Sequence, residues 1–177
     1  MSVINATFSV PGGRSFYSSL VLLAATMTMG ISAGVFQLYA FAIMPGLRRT
    51  DDSTFVSAFQ QIDIAIVGPW LFVFFFGSLG FTAVAAALHF GASDRTTLHW
   101  IGGALVLYLA VLVITITINV PLNDEIKAAG EAAEIGDFAA VRERFHKARW
   151  VSGNFFRAVA STMAFGCLAW ALVSRGR

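Results

Sequence analysis

The run from Ser18 to Met44 holds 27 residues without a charged side chain, and nothing constrains the fold of this chain more. As a helix rising about 1.5 Å per residue it reaches roughly 40 Å, beyond the ~30 Å hydrocarbon core of a bilayer. Three further apolar runs follow, about 64–90, 98–120 and 151–173. In lipid, each backbone polar group must find its partner inside the protein, so only helices and closed barrels can span. Runs of this length predict an all-α protein, a four-helix transmembrane bundle. Charged residues make up 12% of the sequence, about half the share found in soluble domains. A chain of 177 residues suits a single integral membrane domain.

The breaks between the runs carry turn chemistry. Pro45-Gly46 closes the first run, because proline cannot continue the hydrogen-bond ladder and glycine permits the turn, and Arg48-Arg49 then meets the interface. Asp51, Asp52 and Ser53 offer N-caps for a new helix. That helix begins amphipathic, with Phe55, Phe59 and Ile62 on one side, enters the membrane near Asp63 and continues to Phe90 with a kink at Pro69. A polar stretch, Gly91 to Thr97, leads to the third run, which Pro121 closes. Between Leu122 and Arg149 the chain turns charged, and Phe138, Val141, Phe145 and Ala148 recur at helical intervals, predicting an amphipathic surface helix before the last span. Arg14 and Ala40-Phe41-Ala42 have the form of a signal peptide, but the first run far exceeds an h-region of about 7 to 15 residues.

Net charge is +2, with no basic stripe to track a phosphate backbone, so nucleic acid is not an expected partner. Membrane lipid and a hydrophobic small molecule are. Gly30 and Gly34 form a GxxxG face that admits a close helix neighbour, within the bundle or in a homo-oligomer. The only cysteine, Cys167, precludes an intrachain disulfide and a Cys-based metal cluster. His89 and His99 fall at the opposite membrane end from His146 with no ligand-type spacing, so no metal or haem site is expected. The end with both termini carries Arg14, Arg95, Arg175 and Arg177. The other carries Arg48, Arg49, Lys127, Arg142, Arg144, Lys147 and Arg149, and a bare count sets that end in the cytoplasm. Four of these lie in one charged helix beside Asp137 and Glu143, an ordinary solvated face. Setting them aside leaves cytoplasmic termini as the expectation.

Polar residues gather at one membrane end: Gln60, Gln61, Asp63, Asn119, Asn123, Asn154 and Arg157. Arg157 lies about one turn inside the fourth span, where an ionised side chain is costly unless paired or wetted. Asp63 is its nearest plausible counter-ion. Either this is a buried bridge that sets helix register, or Arg157 snorkels to the interface, or the pair marks a site. On the fourth span His146, Trp150, Asn154 and Arg157 recur at helical spacing on one face, and on the third Tyr108, Thr115, Asn119 and Asn123 do the same. The amides serve equally as helix caps or interhelical hydrogen-bond partners.

Gly34-Val35-Phe36 through Met44-Pro45-Gly46-Leu47, Phe59-Gln60-Gln61-Ile62-Asp63, Asn119-Val120-Pro121-Leu122-Asn123, and Trp150 with Asn154 and Arg157 together resemble the anthrone oxygenase-like family. These are small four-span membrane proteins, mostly domains of unknown function, and the resemblance runs over nearly the whole chain. It implies an oxidoreductase, a membrane oxygenase needing no cofactor that acts on an anthrone or another reduced polycyclic aromatic. An enolate of such a ring reacts with dioxygen directly. The resemblance then gives Arg157, Asp63 and His146 catalytic roles: Arg157 stabilises the enolate oxygen, and His146 or Asp63 is the base. Asn119, Asn123 and Asn154 supply further donors, and Tyr39, Phe59, Gln60 and Trp150 complete the substrate pocket. The alternative is a non-catalytic bundle that binds a lipid or quinone or joins a larger membrane complex. A small permease is the third reading, though no internal repeat supports it.

Overall fold

Two prolines that should end membrane helices do not end them. The protein is seen in a computed structural model that describes residues 13–91 and 95–174, with side chains from residue 16 onward. The charges of Arg14, Arg175 and Arg177, and part of the predicted second loop, lie outside the described residues. Helix α1, Gly13–Leu38, passes through a π-helical turn, Tyr39–Ile43, into the short α2, Met44–Leu47. Helix α5, Arg95–Ile114, likewise passes through a π turn, Thr115–Asn119, into α6, Val120–Lys127. Pro45 and Pro121 stand in the first turn of α2 and α6. A proline ring lacks the N–H and crowds the carbonyl four residues back, and the wider π turn relieves both faults without stopping the helix. The helices thus run past the prolines that close the predicted runs, from Pro45 to Leu47 and from Pro121 to Lys127. The continuous lines, 32 and 33 residues, reach roughly 50 Å at about 1.5 Å per residue and project from a ~30 Å core.

The reverse error occurs at the second span. Instead of one helix kinked at Pro69, the chain forms α3, Asp52–Ile66, breaks at Val67-Gly68, and restarts as α4, Pro69–His89. Gly68 is extended (φ −125, ψ 178), as a residue before proline prefers, and Pro69 opens the new helix where its missing N–H costs nothing. Asp51 caps α3 by accepting from the backbone N–H of Thr54 at 2.9 Å. After α6 a 3-10 turn, Ala132–Glu134, leads to α7, Phe138–Arg144, and then α8, Lys147–Ser174.

Four of these helical lines are long and apolar enough to cross a membrane, so the protein is a multi-pass four-helix bundle. Helix α8 lies along α1 and α5, α1 lies along α4, and α4 meets α5 to close the ring. Small residues let the helices approach, among them Ala25, Ala85, Ala104, Ala158 and Ala164, all buried. Gly30 lies under Phe165 of α8, where a Cβ would sit 3.0 Å from the ring, whereas one on Gly34 would meet nothing within 4 Å. In-span polar groups pair across helices: Ser32 with Ser78 at 3.1 Å, Tyr108 Oη to Phe75 O at 3.0 Å, Gln37 to Thr162 Oγ1 at 2.9 Å.

A second core sits at one end of the bundle. Helices α2, α3, α6 and α7 fold over it as a cap, burying Leu47, Phe55, Phe59, Ile126, Phe145 and Trp150. Phe59 lies 4.7 Å from Phe145 and 5.6 Å from Trp150 between ring centroids. The amphipathic α7 contributes Val141 and leads into Phe145 on its buried side. Arg142 straps α7 to the start of α3, donating to Thr50 O at 3.0 Å and Asp52 Oδ1 at 2.8 Å while its guanidinium lies 4.3 Å from the Phe55 ring.

Candidate functional site

Each π turn delivers one buried side chain to the boundary between the two cores: Tyr39 from the first and Asn119 from the second. Helix α8 brings Trp150, Asn154 and Arg157 to the same depth, and α3 and α6 bring Asp63 and Asn123. A cavity of about 130 Å³ lies among them, lined by Tyr39, Asp63, Asn119, Asn123, Trp150 and Arg157, with Phe36 and Thr115.

Arg157 is 7% exposed, yet no carboxylate approaches within 4.0 Å among the described residues. Nη2 donates to Asn154 Oδ1 at 3.0 Å and Nη1 reaches Thr115 Oγ1 at 3.4 Å. The guanidinium carbon lies 4.7 Å from the Phe36 ring centroid and 5.5 Å from that of Trp150. These π faces offset part of the desolvation cost without neutralising the charge. Nε is buried without a hydrogen-bond partner, as is Asn119 Oδ1. Asn154 in turn donates to Phe36 O at 3.1 Å, and Asn119 to Trp150 O at 3.1 Å.

Asp63 does not pair with Arg157. It pairs with Lys127, whose Nζ lies 3.4 Å from Oδ2, and it accepts from Asn123 Nδ2 at 2.7 Å. Asn123 Oδ1 accepts from the Trp150 indole N–H at 2.6 Å. A lysine outcompetes Arg157 because Asn119, Asn123 and Lys127 succeed one another at four-residue intervals, so the continued helix lays them on one face. The cavity thus has the carboxylate of Asp63 and the amide of Asn123 on one side, and the guanidinium of Arg157, without a counter-ion, with the amide of Asn119 on another.

His146 is misplaced by the sequence reading. It is exposed, in a left-handed conformation (φ 46), just before α8 begins at Lys147, and so falls off the stripe that holds Trp150 and Arg157. Gln60 is buried, but its amide donates to Ile126 O at 2.8 Å and Gly130 O at 3.1 Å, tying α3 to the segment after α6. Phe59 belongs to the cap cluster behind Trp150. His89 is buried at the far end with Nδ1 2.7 Å from Ala85 O, and His99 is exposed. Among the described residues no group of three or more His, Cys, Asp or Glu is placed to hold a metal ion. Thr115, on the predicted polar stripe, lines the cavity as well, whereas Phe36 and Lys127 carry no polar-stripe signal in the sequence reading, although Lys127 shares the helical spacing of Asn119 and Asn123.

An apolar groove of about 270 Å³ adjoins the cavity, and the two share Val35, Phe36, Ile66, Leu71 and Phe75. It runs out between α1 and α4 past Ile31 and Trp70, both exposed on the outer surface of the bundle. Each space alone is smaller than a typical ligand pocket of about 300–1,000 Å³.

No curated protein and no solved structure matches the chain significantly. A family profile described as anthrone oxygenase matches residues 70–167, from α4 to the middle of α8. The match takes in Asn119, Asn123, Trp150, Asn154 and Arg157 but stops short of Tyr39, Phe59 and Asp63, so it is narrower than the near-complete resemblance expected. It still covers more than half of the sequence, and the chain belongs to the anthrone oxygenase family.

Proposed function

We propose that the protein is a membrane oxygenase that binds an anthrone-like polycyclic substrate and promotes reaction of its enolate with dioxygen. The observation that carries this reading is Arg157: a buried cation without a counter-ion, facing a cavity whose extension is apolar. Such a site favours an anion over its neutral conjugate acid, which is the change that enolisation brings. Asp63 is the candidate base, because it lines the cavity and its Oδ2 accepts no hydrogen bond. His146, exposed on the surface, drops out of that role.

The steps balance without a further reactant. Asp63 takes the benzylic proton, and Arg157 and the neighbouring amides stabilise the enolate oxygen. The enolate carbon then bonds to dioxygen, the resulting peroxide anion takes the proton back from Asp63, and loss of the second benzylic proton with cleavage of the O–O bond releases water and leaves the quinone carbonyl. The carbon is oxidised, and one oxygen atom leaves as water. The flat rings extend into the groove between α1 and α4, against Phe36 and Phe75.

A non-catalytic binder of a quinone or lipid is the second reading, favoured by the exit of the groove on the lipid-facing surface. Dioxygen uptake with quinone absorbance separates the two. Detergent-purified protein given a simple anthrone should exceed both an Arg157→Met variant and the protein-free autoxidation rate. Rates equal to the blank overturn the oxygenase reading.

A further inference from the structure

A larger groove, about 620 Å³, lies where the first helical line meets the start of α8, and none of its lining residues touches the cavity of Arg157. Its rim is basic: Arg48 and Arg49 follow α2, and Lys147 opens α8. Its floor is apolar, with Ala40, Met44 and Val151. No acidic residue lines it, and none of the three cations meets a carboxylate within 4.0 Å among the described residues. In the cap Arg142 pairs with Asp52 and Lys127 with Asp124.

The depth order of these groups matters. Ala40 and Met44 belong to the first long apolar run, and Arg48 and Arg49 are its first charges, so hydrocarbon depth grades into headgroup depth along one groove. The turn that presents the arginines is held in place. Arg49 N donates to Gly46 O at 3.0 Å, Thr50 N donates to Leu47 O at 3.1 Å, and Arg48 O accepts from Arg142 at 3.4 Å. A groove lined by three cations and by apolar side chains, with no acid, matches a single phospholipid bearing net negative charge.

We propose that this groove binds one anionic phospholipid, its phosphate among Arg48, Arg49 and Lys147 and an acyl chain along Ala40, Met44 and Val151. The lipid then bridges the end of the first helical line and α8, in a groove that shares no lining residue with the Arg157 cavity. Its headgroup charge is what distinguishes it from bulk lipid.

Native mass spectrometry of the full chain, given equal amounts of phosphatidylglycerol and phosphatidylcholine in detergent, tests this. Wild type should retain phosphatidylglycerol selectively. The variant Arg48→Gln/Arg49→Gln/Lys147→Gln should bind it about a hundredfold more weakly, at roughly fivefold per charge removed. Arg48→Lys/Arg49→Lys should keep the selectivity, and an unchanged melt of the triple variant in phosphatidylcholine alone would verify its fold. Equal retention of the two lipids, or of phosphatidylglycerol by wild type and triple variant, overturns the proposal. So does an equal thermal shift from inorganic phosphate, which would mark a free-anion site.

Discussion

Arg157 rests on a neutral neighbour: its Nη2 donates to the amide oxygen of Asn154, 3.0 Å away, one turn earlier on α8. A carboxylate at this position would satisfy the cation within the protein. An amide positions the guanidinium and leaves its charge available to whatever enters the cavity.

Asn154→Asp therefore separates structure from function. The variant loses the donor to Phe36 O, at about 1 kcal/mol, and gains an ion pair of roughly offsetting strength. The melting temperature should change little, while kcat/KM for an anthrone should fall at least about tenfold. An unchanged kcat/KM would show that the free charge of Arg157 is not used.

Gly153 makes room for Asn119. A Cβ there would lie 2.9 Å from Asn119 Oδ1 and 3.1 Å from Ile118 Cγ2. Alanine improves helix propensity by about 1 kcal/mol, but overpacking costs about 1–3 kcal/mol, so Gly153→Ala should be destabilising on balance. Gly166→Ala on the same helix, with nothing within 4 Å of its Cβ, should be neutral or stabilising. Thermal melts of the two variants check the contrast.

The four spans were legible because hydropathy and length answer to the bilayer alone. Faces were legible too, since helical spacing put Trp150, Asn154 and Arg157 on one side of the last span, the side α8 buries. Partners were not. Charge and depth make Asp63 the nearest plausible counter-ion of Arg157, but α6 continues past Pro121 and brings Lys127 to Asp63, and that continuation depends on a π turn with no signature in composition. His146 failed for a similar reason: one left-handed residue before α8 removes it from a stripe that spacing alone includes. Phe36 looked like any apolar residue of α1, and its place over Arg157 follows from how α1 and α8 pack.

Arg142 fastens the cap through two carbonyls, Asp52 and the Phe55 ring. Arg142→Ala should cost about 1–3 kcal/mol and loosen α7 before the membrane bundle melts. Limited proteolysis should then cut between residues 128 and 137 faster than in wild type. Equal cleavage rates would show that apolar packing alone holds the cap.

Asp51 supplies a pH dependence at the start of α3. It accepts from Thr54 N at 2.9 Å, Ser53 Oγ at 2.7 Å and Thr54 Oγ1 at 2.7 Å, and these bonds hold its carboxyl well below the usual carboxylate range. Because the folded form resists protonation, the cap's contribution is complete above the unfolded carboxyl's pKa of about 3.9 and is lost as pH falls below it. Asparagine caps equally well without titrating. Wild type and Asp51→Asn should melt alike at neutral pH, and the wild type should lose more stability below about pH 4. Parallel losses would place the acid sensitivity elsewhere.

Asp63 is where support and chemistry can be told apart. Asp63→Asn keeps an acceptor for Asn123 Nδ2, so the chain through Asn123 to the Trp150 indole can persist. It removes the ion pair with Lys127, whose side chain is 41% exposed, and a pair open to solvent on one side contributes only about 1 kcal/mol. Lys127→Met removes the same pair from the other side, together with the exposed Lys127–Asp124 pair at 2.9 Å, itself of about 1 kcal/mol at most, and leaves the carboxylate in the cavity. If Asp63 serves only the architecture, the two variants should lose similar stability and similar activity. If it takes the substrate proton, Asp63→Asn should lose about 10²- to 10⁴-fold in kcat while Lys127→Met keeps most of it. The ratio of their kcat values, measured by dioxygen uptake alongside their melts, therefore reports the role of the carboxylate with the shared structural loss divided out.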